Sequence, residues 1–515
     1  MPGFRNPRLR SAWEMTLNLK AIIEGLSIQQ QAGPAVPPAG GTNVPVVAGI
    51  AYDSRKVEPG ALFVCIRGYK TDGHLYIEDA LARGAAAIVV EQASAIPANP
   101  PVPFLLVPNA RRALATLSRN AHGAPSRNLR LVGITGTNGK TTTTYMVRHI
   151  LFHAGRPTGV IGTLGALIGD RPVPLDRTTP EAPELDRILA EMVAAGVQDC
   201  AMEVSSHAIA LHRVRELEFD IGVFTNLTQD HLDFYKSLED YRAAKMELFC
   251  DLPLHSRKAF TGIINADDPS APWFLQATRG TAVTYGLSEG AQVRGFDPEA
   301  RPAGVCYRCV LPEGEMALQL KVGGFFNVYN SLAAIAACRA LGLAPEAIEA
   351  ALNDFPGVPG RFEAVPSDKD FTVIVDYAHT PDGLENVLKS ARALGPQRLV
   401  VIFGCGGDRD RGKRPKMGAL AANLADRVIV TSDNPRSEDP EAIIAEILAG
   451  IPPDALAKVH TEPDRGAAIE TAIADAKSGD LIVIAGKGHE DYQIFADRTI
   501  HFSDREVAEA ALRRL

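Results

Sequence analysis

The 515-residue chain lacks any apolar run near the roughly 18 residues that a membrane-spanning helix requires, which excludes an integral helical membrane protein. It lacks a signal-peptide core too, because Arg5, Arg8 and Arg10 are followed by Glu14 rather than by an apolar stretch. A cytoplasmic location is therefore expected, with Met15 as an alternative start. Positive charge is not in excess: 53 Lys and Arg stand against 61 Asp and Glu, a net charge of -8. That balance argues against non-specific binding to nucleic acid or an anionic membrane, and it requires any phosphate recognition to be local. Cysteine is sparse and odd in number; the seven are scattered, mostly in apolar runs such as 199–202 and 336–338, which suits reduced, buried thiols. Internal repeats and low-complexity arrays are missing. So is a G-x-G-x-x-G that opens a helix with an acidic partner about 20 residues on, which excludes a nicotinamide dehydrogenase.

What is present is ordinary globular composition: 46% hydrophobic and 22% charged residues, with 45 Gly and 36 Pro. At about 150 residues per domain, the length predicts three or so domains of an α/β protein. Residues 26–48, rich in Gln, Pro, Ala and Gly, read as a loop, and 45–52 and 61–66 read as strands of a small mixed α/β domain over 1–125. From Arg130 short apolar strands alternate with turns and amphipathic helices, the rhythm of a parallel sheet. Strands are expected at 131–135, 159–162, 200–204, 221–225 and 262–265, each ending in a polar cluster. Open α/β sheets collect ligands beyond such strand ends, so this central domain, 126–358, should hold the catalytic centre. The Pro/Gly turn from Phe355 to Arg361 closes it. Strands at 371–375, 399–403, 427–431 and 481–484 then predict a Rossmann-like third domain, 359–515, facing the second across a cleft.

The segment Gly133-Ile134-Thr135-Gly136-Thr137-Asn138-Gly139-Lys140-Thr141-Thr142 follows a strand and opens a helix running to His153. This is the setting of a P-loop: glycines let backbone N–H groups wrap phosphate oxygens, Lys140 meets the β/γ-phosphates and Thr141 can ligate Mg²⁺. Against G-x-x-x-x-G-K-[ST], Gly136 stands two residues too close to Gly139 and Gly133 one residue too far, so the segment matches in its setting and its Gly-Lys-Thr end rather than in exact spacing. Glu203 and His231 lie at strand ends of the same domain, where a hard cation beside phosphates needs oxygen or imidazole ligands, although either residue alone is more often an ordinary cleft hydrogen-bonder. His149 and His153, four residues apart on the same helix, suggest a metal pair, but the sequence offers no third ligand and they read as structural. Cys306 and Cys309 form a lone C-x-x-C in a strand-like stretch and read as two ordinary thiols.

Asp376-Tyr377-Ala378-His379 and the run from Gly404 to Pro415 set charge beside glycine at strand ends, a poor way to build a core and a good way to bring backbone close to a ligand. Asp433-Asn434-Pro435-Arg436 adds a guanidinium fork suited to a carboxylate.

At these residues the chain resembles the Mur ligases, ATP-dependent amide ligases of peptidoglycan precursor synthesis, from Asp53 to Glu490. The resemblance rests on 136–142, Glu203 to His207, Thr225 to Leu227 with Asp230 to Asp233, Asn265 to Asp268, Asn327 to Asn330, Gly360-Arg361 and Asp376 to Pro381. Asp433 to Arg436 with Glu438 to Pro440, and Gly486 to Glu490, look like the branch that adds meso-diaminopimelate. Diaminopimelate differs from lysine by a distal carboxylate, which Arg436 and Arg409 could pair while Glu490 accepts the distal ammonium. An arginine left uncompensated would reject lysine.

The resemblance implies further roles. Gly136, Thr137, Asn138, Gly139, Lys140, Thr141 and Thr142 would bind ATP, with Asn327 and Arg361 at adenine, ribose or phosphate and Asp376 and His379 approaching from the third domain. Tyr52, Ser54, Tyr69, Lys70 and Thr71 would contact the UDP part of the acceptor, and Thr178, Thr179, Ser205 and Arg213 its muramoyl-dipeptide part. Diaminopimelate would meet Arg409, Asp433, Asn434, Pro435, Arg436, Gly486 and Glu490. Lys245 matches a lysine carried as an N-carbamate (N6-carboxylysine), which with Thr141, Glu203 and His231 would hold Mg²⁺; by helical pattern alone it reads as a surface lysine. Lys140, Glu203, His231 and Lys245 would be catalytic. Leu211 and Arg177 depart from residues common in the family, a Gln and an Asn.

The expected reaction has the D-glutamate γ-carboxylate attack the ATP γ-phosphate, after which diaminopimelate displaces phosphate from the acyl phosphate, under a third domain that closes against water. The expected partners are the UDP-muramoyl-dipeptide, diaminopimelate and ATP, with no nucleic acid or membrane, and the chain is expected to be a monomer. Two alternatives remain: a folylpolyglutamate synthase, against which the first-domain segments Asp53 to Arg55 and Asp72-Gly73 speak, and an ATP-gated regulatory protein that forms no amide.

Overall fold

The computed structural model describes residues 17–34, 46–68, 71–228, 234–301 and 304–515. Tyr69, Lys70 and His231, all assigned roles from the sequence, lie outside the described residues. The chain packs as two compact units, residues 1–133, 157–220 and 244–260 in one and 134–156, 221–243 and 261–515 in the other.

In the first unit a five-stranded sheet runs Gln30–Ala32, Phe104–Leu106, Ala87–Val90, Ala61–Val64, Gly49–Ala51, parallel except at its first pair. Alternate side chains of the central strands feed two cores, as the period of a strand requires. Leu62, Val64 and Val89 pack with Leu114 and Leu117 of the helix Ala110–Ala121, while Phe63, Ile88 and Val90 pack with Ile77 and Ala80 of the helix Ile77–Ala82. The stretch 26–48, expected to be loop, supplies the edge strand Gln30–Ala32. Gln-Gln-Ala has no apolar alternation; it is a strand because its backbone pairs with Phe104–Leu106. The strand expected over 45–52 is interrupted at Ala48, giving Val46–Val47 and Gly49–Ala51. The same unit carries Arg171–Val173, Gly165–Ile168, Thr158–Gly162 and Asp199–Glu203 in that order, antiparallel until the last, parallel pair.

In the second unit Ile221–Phe224, Thr261–Asn265, Thr281–Gly286 and Val293–Arg301 run parallel, and Gly304–Leu311 and Gly314–Leu320 extend them as an antiparallel meander. The parallel rhythm read from the sequence thus has an antiparallel flank. Cys306 and Cys309 lie in this meander, an odd spacing that puts them on opposite faces, and only Cys309 is buried.

The C-terminal sheet runs Glu363–Ala364, Thr372–Asp376, Asp480–Ala485, Arg398–Phe403, Arg427–Val430, Val459–Thr461, parallel but for the first pair. Successive strands step outward from 372–376 to 459–461, so right-handed crossovers put the helices Pro381–Ala393, Lys413–Leu424 and Pro440–Leu448 on one face. The return to 480–485 reverses direction, and Arg465–Ala474 and Asp504–Arg514 cover the other. Among the described residues no helix is long and apolar enough to cross a membrane.

Candidate functional site

The loop after the strand Arg130–Thr135 is tied down largely through main-chain atoms. The Thr137 N–H donates to the Asn226 carbonyl at 2.9 Å and the Asn138 N–H to Asn226 Oδ1 at 2.9 Å, while Thr225 Oγ1 donates to the Asn138 carbonyl at 2.7 Å. Gly136 and Gly139 hold φ of +149° and +84°, and a Cβ on either would overlap Thr225 Oγ1 or Asn330 Oδ1. Lys140 Nζ donates to the carbonyls of Gly136 and Thr137 at 3.0 and 2.7 Å, folding its ammonium over the loop. The helix Lys140–His153 has no side-chain cap, so its first N–H groups suit an anion.

The third-domain residues named for ATP lie in the same unit. Arg361 Nη2 donates to Thr141 Oγ1 at 3.2 Å, and the guanidinium stacks on the Tyr377 ring at 4.5 Å. Asp376 accepts from the Phe362 and Ala378 N–H groups at 2.6 and 2.8 Å; burial pushes its carboxyl up to about 6 against the pull of Arg361 and these bonds. His379 Nδ1 meets the Tyr377 carbonyl at 2.8 Å, and burial with Lys413 nearby lowers its proton affinity. Asn327 is buried, donates to the Gly323 carbonyl at 2.7 Å and accepts from Asn330 at 2.8 Å. The sequence did not single out Asp382, which accepts from Asn138 Nδ2 and, at 2.9 Å, from Thr228 Oγ1. Nothing in the local pattern marks it, because its partners lie 244 and 154 residues away.

In the other unit Glu203, 1% exposed, accepts from the Thr163 N–H at 2.8 Å and from Thr163 Oγ1 at 3.1 Å. A Cβ on Gly162 would overlap its carboxylate, so only glycine admits it. Thr178 meets Thr163 Oγ1 at 3.2 Å, Thr179 Oγ1 donates to the Glu203 carbonyl at 2.8 Å, and Ser205 caps the turn that follows. Arg213 donates to the Thr179 carbonyl and pairs with buried Glu181, each at 3.0 Å, and Arg177 and Arg111 converge on the same carboxylate. Arg177 thus departs from the family pattern yet has a partner here. Tyr52 donates to Glu184 at 2.7 Å, and burial raises its phenol further above the ordinary value. Ser54 is buried, whereas Thr71 bonds the exposed Tyr76 hydroxyl at 3.0 Å.

Lys245 corrects the helical-pattern reading: on the helix Leu238–Cys250 it is 1% exposed, not a surface lysine. In this unit the buried Glu203 carboxylate is an oxygen donor of the kind a hard cation takes. An ammonium at Lys245 could not ligate, but a carbamate there could.

Around the strand end at Val430 the side chains carry charge. Asp408 and Arg436 both sit at φ +54°, a region that favours glycine. Arg436 donates to the Gly407 carbonyl at 2.8 Å, and Arg409 to the Asp408 carbonyl at 3.2 Å. Among the described residues neither guanidinium has a carboxylate within ion-pair distance. Asn434 Nδ2 donates to Glu490 Oε2 at 2.9 Å, and Lys487, fully buried, reaches Glu490 at 3.2 Å and Asp433 at 3.9 Å. Fully buried Arg414 binds Glu438 and Glu446 at 2.9 and 2.8 Å and the Gly406 carbonyl at 3.2 Å, holding the two halves of this loop cluster together. The sequence named neither Lys487 nor Arg414; only their place in charged, Gly-rich runs hinted at them. Gly486, at φ +121°, faces Asp433, and the Pro435 carbonyl would be overlapped by a Cβ on Gly407.

Comparison with known proteins gives this geometry a context. The UDP-N-acetylmuramoyl-L-alanyl-D-glutamate--2,6-diaminopimelate ligase of Syntrophomonas wolfei is 45% identical over 497 residues, 96% of this chain and 99% of its own. The chain belongs to the Mur ligase family. Family models described as the Mur ligase family catalytic domain, the Mur ligase middle domain and the Mur ligase glutamate ligase domain match residues 46–122, 134–338 and 360–488. A Geobacillus kaustophilus ligase of the same name is 47% identical over 91% of this chain and 95% of its own. A solved structure of a ligase of that name superposes with a TM-score of 0.67 at 32% identity, covering 97% of this chain and 99% of the other. The architecture is accordingly the three-domain α/β fold of the Mur ligases.

Proposed function

We infer that this Mur ligase joins meso-diaminopimelate to UDP-N-acetylmuramoyl-L-alanyl-D-glutamate at the expense of ATP, a step of peptidoglycan precursor synthesis. The observation that carries the reading is the 45% identity, along 96% of the chain, to a ligase named for those substrates. Segments 1–125, 126–358 and 359–515 serve as the UDP-substrate, ATP and amino-acid domains of a cytoplasmic, monomeric enzyme.

Gly136 to Thr142 wrap the phosphates, and Lys140 turns its ammonium from the Gly136 and Thr137 carbonyls to the β/γ oxygens. Arg361 brings a second cation to Thr141, and Asn327, Asp376 and His379 bound the nucleotide. Mg²⁺, when bound, neutralises phosphate charge so that the acceptor carboxylate can approach. Thr141, Glu203, His231 and carbamylated Lys245 would hold it. The Lys245 amine adds to CO₂, forming the N–C bond and releasing one proton. Tyr52, Ser54, Tyr69, Lys70 and Thr71 take the UDP end of the acceptor, and Thr178, Thr179, Ser205 and Arg213 the muramoyl-dipeptide end.

The acceptor γ-carboxylate displaces ADP from the γ-phosphorus; the amine of diaminopimelate then attacks the acyl carbon, expels phosphate and loses a proton. Arg436 and Arg409, without carboxylate partners among the described residues, receive the distal carboxylate. Glu490 receives the distal ammonium, with Asp433, Asn434, Pro435 and Gly486 shaping the pocket. Lysine would leave the guanidinium charge uncompensated.

Phosphate release with ATP, Mg²⁺ and the UDP-muramoyl-dipeptide, comparing meso-diaminopimelate with L-lysine, tests the reading. Release and a product mass gain with diaminopimelate alone are expected. Preference for lysine overturns the role of Arg436, and silence with both favours an ATP-gated binding protein. Lys245→Ala should lose activity by at least about 100-fold and regain part of it with a short carboxylic acid; full activity in the variant removes the carbamate.

A further inference from the structure

His149 and His153 project from one face of the helix Lys140–His153, one turn apart, with ring centroids 5.2 Å from each other. The sequence supplied no third ligand for them, but the fold does. Asp354, the last residue of the helix Pro345–Asp354, places Oδ2 3.6 Å from His153 Nε2. One donor atom from each of the three residues lies within 4.8 Å of the others, a grouping unique among the described residues.

The inner histidine is oriented as a ligand is. His149 Nε2 is buried without a hydrogen-bond partner. A buried imidazole nitrogen with no protein partner can present its lone pair to a metal. The Phe355 ring, edge-on at 5.4 Å, fixes the plane. Lys321 engages Asp354 through Oδ1 at 2.8 Å and leaves Oδ2 to face the histidines.

We propose that His149, His153 and Asp354 form a binding site for a divalent transition metal of the zinc class. Two imidazoles and one carboxylate match Zn²⁺, Co²⁺ or Ni²⁺ better than Mg²⁺ or Ca²⁺, and three protein ligands leave a coordination position for water. Tetrahedral ligation sets donors about 3.4 Å apart, a spacing the His153–Asp354 pair nearly has. His153 and Asp354 are exposed enough to turn inward for the rest. The site lies about 14–20 Å along the helix from Lys140, so it is separate from the phosphate loop and would tie the far end of that helix to Pro345–Asp354.

The test uses the untagged full chain, stripped with a chelator and held in excess Mg²⁺ to occupy hard-cation positions. Titration with Co²⁺, read by visible absorption, should show one equivalent bound and displaced by Zn²⁺. His153→Ala and Asp354→Asn, both at exposed positions, should weaken that binding at least about tenfold. Zn²⁺ should raise the thermal midpoint of the unsubstituted chain and not that of His153→Ala. No uptake in excess Mg²⁺, or uptake unchanged in both variants, overturns the proposal. His149→Ala adds a third arm, read by Co²⁺ absorption only if its unfolding transition is unaltered.

Discussion

Residues 136–141 are held by main-chain atoms and two glycines at positive φ, whereas 404–438 are held by a buried arginine spanning two glutamates, with two non-glycine residues at positive φ. The first region can dispense with charge of its own, apart from Lys140, because N–H groups and a helix end suffice for an anion. On the function proposed above, the second has to tell one dipolar amino acid from another, which calls for guanidinium, ammonium and carboxylate groups in fixed places. The first takes its shape from glycine conformations and from neutral Thr225 and Asn226 groups on its main chain, the second from charge pairs.

The contrast can be broken at its strongest point by Lys140→Ala, which removes the one charge of the backbone cradle. Turnover should fall by at least about 10³-fold, with the unfolding midpoint little changed; phosphate release and thermal melting measure the two. Arg436→Lys attacks the other region. An ammonium cannot reproduce the planar fork, so KM for diaminopimelate should rise about 10–100-fold while KM for ATP stays put. Equal loss for both substrates would blur the distinction between the regions.

Gly139→Ala asks whether the cradle depends on backbone conformation. With φ at +84° and Asn330 Oδ1 in the way, it should cost about 1–2 kcal/mol of stability and weaken ATP binding, measured by denaturant unfolding and nucleotide titration.

The smallest effect is acid dependence, and it has opposite signs at two carboxyls. Arg414, then the Asp408 N–H, hold Glu438 at about 2, below its ordinary 4.5. Its contribution to stability is present above about pH 4.5 and lost as pH falls toward 2. Asp376 is raised from 3.8 to about 6, so its contribution is full below 3.8 and lost as pH rises through 6. Arg414→Met should flatten the acid limb of the unfolding midpoint against pH, and Asp376→Asn the limb near 6.

Much of this was legible in the sequence. The central strands at 130–135, 199–203 and 261–265 lie within a residue of where apolar runs place them, because strands buried on both faces advertise themselves by composition. The edge strand Gln30–Ala32 was illegible, since an edge gains its structure from a partner about 70 residues away. The glycines and Lys140 were legible because spacing encodes a phosphate loop. Arg414, Asp382 and Asp354 were not, since each acquires its meaning from a side chain that only the tertiary fold brings near. Lys245 shows the converse: its helix reads as a surface one, and burial reverses that.

Arg436 holds a backbone conformation that glycine or asparagine would adopt with less strain, of the order of 1 kcal/mol, while on the function proposed above its guanidinium is what the pocket asks for. Selection for thermal stability and selection for substrate discrimination therefore pull this position in opposite directions. A directed-evolution campaign scored only on folding would drift away from arginine here, and the variants it enriched would be sturdier proteins with a duller sense of which amino acid they were offered.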